Sequence, residues 1–499
     1  MLTYQDLLKV PEKDEQARMD FVYDVIQQHK QTELYETAVI ADEYDRHQNR
    51  TILQYQKMLH NLAGELVPDE WTANYKLASR FFNRFITQEN QYLLGNGITW
   101  GEESTAEKLG KNFDIQMQKL GKKALSGGVS FGFYNFDHLD VFGVTEYAPL
   151  YDENDGALKA GVRFWQIDDT RPLRATLYEI DGYTDYIWNM RKVKDGQYEL
   201  ESEVLHAKRA YKLKITVSEA DGEQIYDGEN YPSFPIVPLW GNPYKQSEIV
   251  GLREQIDCYD LIKSGYANNV DEASIIYWTL NNAGGMDDID LAQFVEKMRK
   301  LHAAQTEDGV SATPNTMDAP YQSREALLAT IRADLYEDAM ALDTKNISNG
   351  AVTATQIQAS YDPLNSKTDE YEYCVREFLN GILAIAGIED EPTFTRSVIV
   401  NRAEEAQLVL QSAQFLQQEY VTEKLLTILG DGDRAEEMIQ QMQQDELDRF
   451  NAEMGMMEGA GAMEEGADEE TEEDIEADKS ALSEYSEEVI KMLEELMEG

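Results

Sequence analysis

The sequence predicts an α+β chain, and three observations predict it. Apolar residues recur at steps of three and four through the first ninety residues and again beyond residue 246, the spacing of one helical face. Between residues 129 and 217 the period changes to two, in short runs rich in Tyr, Phe, Val and Ile. Those runs are punctuated by Asp155-Gly156, Asp168-Asp169, Asp181-Gly182, Asp195-Gly196 and Asp221-Gly222, which are hairpin-turn dipeptides. After Gly241-Asn242-Pro243 a long amphipathic run begins, and a second follows at 323–343.

Taken in order, residues 20–29 carry Phe21, Val22, Val25 and Ile26 and read as a helix. Residues 34–52 read as helix and loop, and 74–91 as a helix closing before Gly95. Residues 105–121 form another helix, whose extension Gly127-Gly128 ends. Strands are expected at 129–136, 145–150, 161–166, 174–180, 186–190, 198–205 and 211–217, as one antiparallel meander. A proline-broken stretch, Pro235-Ile-Val-Pro238, leads to the long helix at about 246–271, roughly 39 Å at 1.5 Å per residue. Ser247 and Glu248 are placed to cap and charge its start. Ile249, Leu252, Ile256, Tyr259, Ile262 and Tyr266 make its apolar face, and Glu254, Asp257, Asp260, Lys263 and Asn268 the face expected to stay wet. A compact mixed piece follows at 281–322, with a helix at 291–301 and a loop at 312–319 containing Pro314. A helix starts at 353–361, is kinked or interrupted by Pro363, and continues at 366–386. Gln-rich helices are expected at 403–429 and 434–446. Residues 451–478 hold only acidic, small and Met-rich sequence with no basic residue, a composition expected to be disordered. Residues 480–497 have the spacing of a short amphipathic helix.

The 499 residues are enough for three or four domains. The 94 acidic and 44 basic residues give a net charge of −50. That balance disfavours a conventional nucleic-acid-gripping module and an anionic membrane partner. Cys258 and Cys374, far apart and each in a helical pattern, read as free core thiols. The opening MLTYQDLLKV lacks the basic and apolar regions of a secretory leader, and no apolar run reaches the roughly 20 residues a span needs. A soluble chain made in a cytoplasm is expected.

Catalytic motifs are missing from the sequence. It holds no phosphate-binding P-loop, no nucleophile elbow and no H-E-x-x-H, so no enzymatic role and no cofactor are expected. Leu94-Gly95-Asn96-Gly97 reads as a turn. His138, between Asp137 and Asp140, reads as a solvated loop rather than a metal site. Asp152 to Gly156 resembles a calcium loop only superficially, because Tyr151 falls where the first carboxylate is needed, and a hairpin turn is the better reading. Met286-Asp-Asp-Ile-Asp290 and Gly430-Asp-Gly-Asp-Arg434 read as helix-terminus chemistry.

Four stretches, in order, resemble the portal proteins of tailed bacteriophages, specifically the SPP1-type family. They are Asn74-Tyr75-Lys76 followed by Gln91-Tyr-Leu-Leu-Gly95-Asn96, and the small-residue strand 124–134 with Gly127, Gly128 and Phe131. The third is Pro235-Ile-Val-Pro with Asn242 and Ile256-Asp257-Cys258-Tyr259-Asp260 ahead of Ser264, Ala267 and Asn268. The fourth is Asn349-Gly350-Ala351-Val352-Thr353, with 398–407 beyond it. The likeness covers roughly residues 30–445. Asn349-Gly350 stands where the family often has Ser-Gly.

The resemblance implies a portal fold with an α/β wing at 1–240, a stem of long helices at 241–272 and 323–343, and a small α/β clip at 273–322. A tunnel loop at 344–353, a kinked wing helix at 354–389, a helical crown at 390–450 and an acidic tail at 451–499 complete it. It further implies a homo-dodecamer at one capsid vertex of the virion, through which double-stranded DNA passes during packaging and ejection. Its partners would be the terminase large subunit, head-completion adaptor proteins, and the major capsid and scaffolding proteins, with no membrane. In that frame Lys345, Asn346, Ser348, Asn349 and Thr353 would face DNA, and Glu254, Asp257 and Asp260 are candidates to line the stem channel. Met286, Asp287, Asp288, Thr313 and Asn315 would face adaptor or terminase from the clip. Twelve copies at −50 would carry about −600, a field that repels phosphate and lets DNA slide. Two other readings stand beside this one. An acidic assembly or scaffold-like factor would act through its tail, and an enzyme would use the groups around 137–140 or 286–290.

Overall fold

The computed structural model describes residues 2–60, 65–69, 72–168, 171–192, 198–217, 224–273, 277–281, 311–315, 321–345, 354–397 and 402–430, with isolated positions at 289, 293, 432, 435, 438–442 and 444. It divides into two units, Met1–Val398 and Ile399–Gly499.

The first unit opens with helices α1 (Tyr4–Lys9), α2 (Glu15–Lys30), α3 (Glu33–Asp45) and α4 (Arg50–Gln54), then the small ladder of β1 (Met58–His60) and β2 (Leu66–Pro68). Asp14 caps α2 by accepting from the Ala17 N–H, and Thr32 caps α3 by accepting from the Tyr35 N–H. The chain then runs without helix or strand from 72 to 80 before α5 (Phe81–Leu94). The helix expected from 74 therefore starts late: two N–H groups of this segment are satisfied by side chains of a later helix instead, as described below.

Strand β3 (Ile98–Thr99) precedes α6 (Glu103–Leu109) and α7 (Phe113–Gly127). A single helix over 105–121 fails at Gly110, whose φ of +94° suits glycine and whose pro-chiral position faces the Asp137 carbonyl. Gly128, with φ +85°, ends α7 as expected.

The β region is three sheets rather than one meander. Strands β6 (Tyr147–Tyr151), β7 (Leu158–Trp165), β8 (Leu173–Glu179), β9 (Gly182–Lys192) and β10 (Tyr198–Arg209) pair successively as an antiparallel five-stranded sheet. Strands β11 (Lys212–Val217) and β12 (Gln224–Glu229) form a separate hairpin. Strands β4 (Val129–Asn135), β5 (His138–Gly143) and β13 (Ile236–Trp240) form a sheet of order β13-β4-β5. The proline-broken stretch is thus a strand. Pro238 pairs with Phe131 at the sheet edge, where a missing N–H costs little. His138 opens β5 rather than lying in a loop, exposed and 3.0 Å from Asp137. The 152–156 turn is a hairpin turn between β6 and β7: Asp152 accepts from the Asn154 N–H at 2.8 Å, and Gly156 has φ +70°.

Helix α8 (Arg253–Ala273) leads to β14 (Tyr277–Asn281), which pairs with β15 (Ser311–Asn315), and α9 (Tyr321–Asp338) returns antiparallel. The loop expected around Pro314 is therefore in part a strand, with Pro314 opposite Trp278. The helix expected at 291–301 falls almost entirely outside the described residues. Helix α10 (Ala354–Ala386) runs on through Pro363 without interruption, and β16 (Thr393–Phe394) pairs with β3.

Two cores hold this unit. Helices α1 and α2 cover one face of the five-stranded sheet through Val22, Val25, Ile26, Val162, Leu177 and Trp188. The larger core packs α3, α5 and α7 with β4, β13 and α10, and takes in Ile256 of α8 and Leu335 and Tyr336 of α9. Gly132 of β4 is required there: a β-carbon on it would sit 2.5 Å from Phe378 Cζ of α10.

In the second unit α11 (Arg402–Ser412) and α12 (Gln418–Leu429) pack on each other. The single helix expected at 403–429 is broken by a 3₁₀ turn at Ala413–Phe415 and by the extended Gln417. The tail, 451–499, lies outside the described residues, and of the helix expected at 434–446 only scattered positions lie within them.

Candidate channel wall

The two long helices form the candidate site. Helix α8 presents three stripes. Its polar stripe, Asp257, Asp260, Ser264 and Asn268, follows the i, i+3, i+4 spacing of one helix face. This stripe is not wet: it docks on the N-terminal helices and the segment after them. The Thr51 hydroxyl donates to Asp257 Oδ2 at 2.7 Å, and the buried Tyr44 hydroxyl donates to the other oxygen of that carboxylate. Asn49 Nδ2 donates to Asp260 Oδ2 at 2.5 Å and to the Ser79 carbonyl at 3.1 Å. The Leu77 N–H donates to Ser264 Oγ at 3.0 Å, and the Tyr75 N–H to Asn268 Oδ1 at 2.7 Å.

The expectation that Asp257 and Asp260 line an open wall is thereby corrected. Asp260 is fully buried, and burial pushes its carboxyl above the usual range. The Asn49 amide on Oδ2 offsets part of that cost, and burial favours the neutral acid. The aspartate–serine–asparagine pattern noticed in the sequence is the seam that fixes α8 to the helices before it.

The expected apolar face divides between two partners. Ile249, Leu252 and Ile256 enter the core. Tyr259 packs edge-on to Phe81 at 5.0 Å, and Tyr266 packs on Tyr321 of α9 at 5.8 Å. Gln255 donates to Asp338 of α9, and Arg324 of α9 reaches the Gly265 carbonyl at 3.4 Å. Glu254 and Cys258, four residues apart, are exposed. Cys258 is therefore not a core thiol, and Cys374 is half-buried. The expected start at Gln246 is also corrected. Residues before Arg253 form turns in which Ser247 Oγ accepts from the Ile249 N–H at 3.2 Å and donates to the Ser126 carbonyl at 2.5 Å. These bonds pin the approach to α8 onto the end of α7.

Helix α9 ends five residues before the expected 343. It is secured by Tyr336, which meets Phe85 edge-on at 5.2 Å with the Arg332 guanidinium 4.7 Å from its ring centroid. Arg332 also makes a bidentate pair with Asp343 at 2.7 and 2.8 Å, which holds the Asp343 carboxyl below its usual range. Beyond it Lys345 is exposed, its N–H donating to Asp343 Oδ1 at 3.1 Å. Asn346, Ser348, Asn349 and Thr353 lie outside the described residues, as do Met286, Asp287 and Asp288. Thr313 and Asn315 lie on β15, opposite Thr279 and Tyr277.

Sequence reasoning missed the joint where α5, α10 and the turn before α8 meet. Lys367 of α10 lies 2.9 Å from Glu89 Oε2 of α5 and 2.6 Å from Glu248 Oε2 of the approach turn. It also donates to the Ala339 carbonyl at the end of α9, at 3.2 Å. Burial pushes the Glu89 carboxyl up to about 7. Burial works against the charge on Lys367, but its two carboxylate partners outweigh that and raise its affinity for the proton. A cavity of about 400 Å³ adjoins the triad, lined also by Asn242, Asp338 and Glu370. No local pattern could have marked residues 89, 248 and 367 as partners.

Comparison with known proteins gives this arrangement its context. The profile of the family described as phage portal protein, SPP1 Gp6-like, matches residues 23–485. The chain belongs to that family, and so is a structural component of a phage virion rather than an enzyme. The portal protein of Clostridium phage phiCD119 is 27% identical over 205 residues, covering 38% of this chain and 44% of that protein. The matched stretch thus spans less than half of that relative's length. The portal protein of Bacillus phage SPP1 is 22% identical over 452 residues, covering 84% of each. Among solved structures, a chain from the virion of a native gene transfer agent particle aligns over 70% of this chain and 90% of its own, with 12% identity and a TM-score of 0.40. Among the described residues no helix is long and apolar enough to cross a membrane.

Proposed function

We propose that this chain is the subunit of a dodecameric ring at one capsid vertex, the conduit for DNA entering and leaving the phage head. The single observation that carries the reading is membership of the portal family over residues 23–485. The stem hairpin fits it. Helices α8 and α9 run antiparallel and the β14–β15 pair joins their far ends, the layout of a stave with a docking tip. The tip would meet the terminase large subunit and then head-completion adaptors, with Thr313 and Asn315 on its second strand. The wing would face the major capsid and scaffolding proteins. Glu254, on the exposed stripe of α8, is the acid placed to face a channel, and Lys345 and the residues after it would approach the DNA backbone. The net charge of −50 supports weak, non-specific contact with DNA in passage.

Negative-stain images of the purified full-length chain test this. Closed rings with a central hole and twelve-fold class averages are expected. A uniform monomer or dimer across salt and protein concentration would sink the proposal.

A further inference from the structure

The joint at the base of the stem has more carboxylates than its one ammonium can balance. Glu89 is 2% exposed, and the Glu248 and Lys367 side chains are each 15% exposed. Asn242 Nδ2 fixes Glu248 by donating to Oε1 at 2.7 Å. Every element packed at the joint contributes a group. Helix α5 gives Glu89, the approach turn Glu248, α9 Asp338, and α10 Lys367, Glu370 and Tyr371. Tyr371 stays a neutral phenol, kept so by burial, and donates to Asn90 Oδ1 at 3.2 Å. With both triad carboxylates ionised, the buried cluster keeps one uncompensated negative charge, which a low-dielectric interior disfavours. The cavity alongside supplies room for that charge to reach water.

We propose that Glu89, Glu248 and Lys367 form a proton-operated latch on the stem. With Glu89 neutral, Lys367 holds the approach turn through Glu248 and the end of α9 through the Ala339 carbonyl. With Glu89 ionised, the surplus charge loosens both contacts toward the water-accessible cavity, where Asp338 and Glu370 offer Lys367 other partners. The sign follows from linkage. The folded carboxyl holds its proton up to about 7 against an ordinary 4.5, so the stability it lends is complete below 4.5 and is lost as pH rises through 7. The latch does not depend on the chain acting as a DNA conduit.

Hydrogen exchange on the full-length protein at about pH 6 and pH 8, corrected for intrinsic rates, tests the latch. Local opening of 248–256 and 335–342 is expected to rise about tenfold between the two, with β7 and β8 unchanged. Glu89→Gln should hold both segments at their pH 6 level at either pH, and Glu248→Gln, which removes the same surplus charge, should flatten the profile too. Lys367→Met should raise opening at both pH values, with Lys367→Arg recovering part of the protection. Stem ends with no pH dependence would overturn the latch. So would a Glu89→Gln protein that keeps the dependence, or a rise shared equally by β7 and β8.

Discussion

Replacing Asp257 by alanine separates a seam residue from a channel-lining one. In the structure the carboxylate accepts two hydroxyl hydrogen bonds, from Tyr44 and Thr51, with Arg253 Nε 3.7 Å away. Hydrogen bonds to a charged group are each worth about 1.5–3 kcal/mol. Thr51 is only half-buried and can turn to water, whereas Tyr44 is 1% exposed and would leave its hydroxyl without an acceptor. The expected cost is therefore about 3 kcal/mol, near the lower end of two full bonds. Native-state hydrogen exchange of amides in 253–268 reads this directly, as protection reduced about 100-fold. Asp257→Asn keeps an acceptor and should lose about 1 kcal/mol. Tyr44→Phe combined with Asp257→Ala should cost less than the two changes summed, because both remove one bond. Protection altered by less than about 0.5 kcal/mol in Asp257→Ala would show that the seam does not hold the stem, and would return Asp257 to the channel wall.

Two further changes probe the surrounding frame. Gly132→Ala places a β-carbon 2.5 Å from Phe378 Cζ, so thermal or chemical unfolding should show a loss of about 1–3 kcal/mol, and adding Phe378→Leu should recover part of it. His29, 1% exposed, donates from Nε2 to the Val144 carbonyl at 2.8 Å, and burial lowers its affinity for a second proton below the ordinary 6.5. Its contribution is present above 6.5 and lost as pH falls toward the lowered folded value. This opposes the Glu89 loss over the same window, so in the Glu89→Gln protein the denaturation midpoint should rise with pH between about pH 5 and pH 7, and adding His29→Gln should flatten that slope.

Hydrophobic period alone located most helices and strands, because burial of one face governs both. Boundaries moved where a side chain far along the chain took over. Residues 74–80 have a helical pattern, yet Ser264 and Asn268 offer their N–H groups better partners than a first helical turn could. Pro238 argues against a strand in isolation, and only the edge position beside β4 makes it acceptable. Asp257 and Asp260 were legible as one face of a helix but not as a buried one. Acidic spacing looks the same whether the face meets water or a row of donors such as Tyr44, Asn49 and Thr51. The Glu89–Glu248–Lys367 cluster was invisible, since three separate elements bring its members together.

The order β13-β4-β5 gives the β region an architectural freedom of its own. The chain leaves β5 at Gly143 and regains the same sheet at Ile236, on the opposite side of β4. The two points of departure and return are therefore two strand spacings apart across the sheet and, with Gly143 opposite Ser130 and Ile236 opposite Phe133, three residues apart along it, about 14 Å in all. Everything between them, the five-stranded sheet and the β11–β12 hairpin, is an excursion hung on neighbouring pegs. Lengthening, shortening or exchanging that excursion leaves the β13–β4–β5 ladder, the α10 packing and the stem seam unbroken. What must change with it is α1 and α2, which cover the larger sheet, and the ring contacts that Tyr147, Tyr178 and Tyr211 make with Phe131, Phe133 and Phe142 of that ladder. The excursion can thus be remodelled without disturbing the seam along α8.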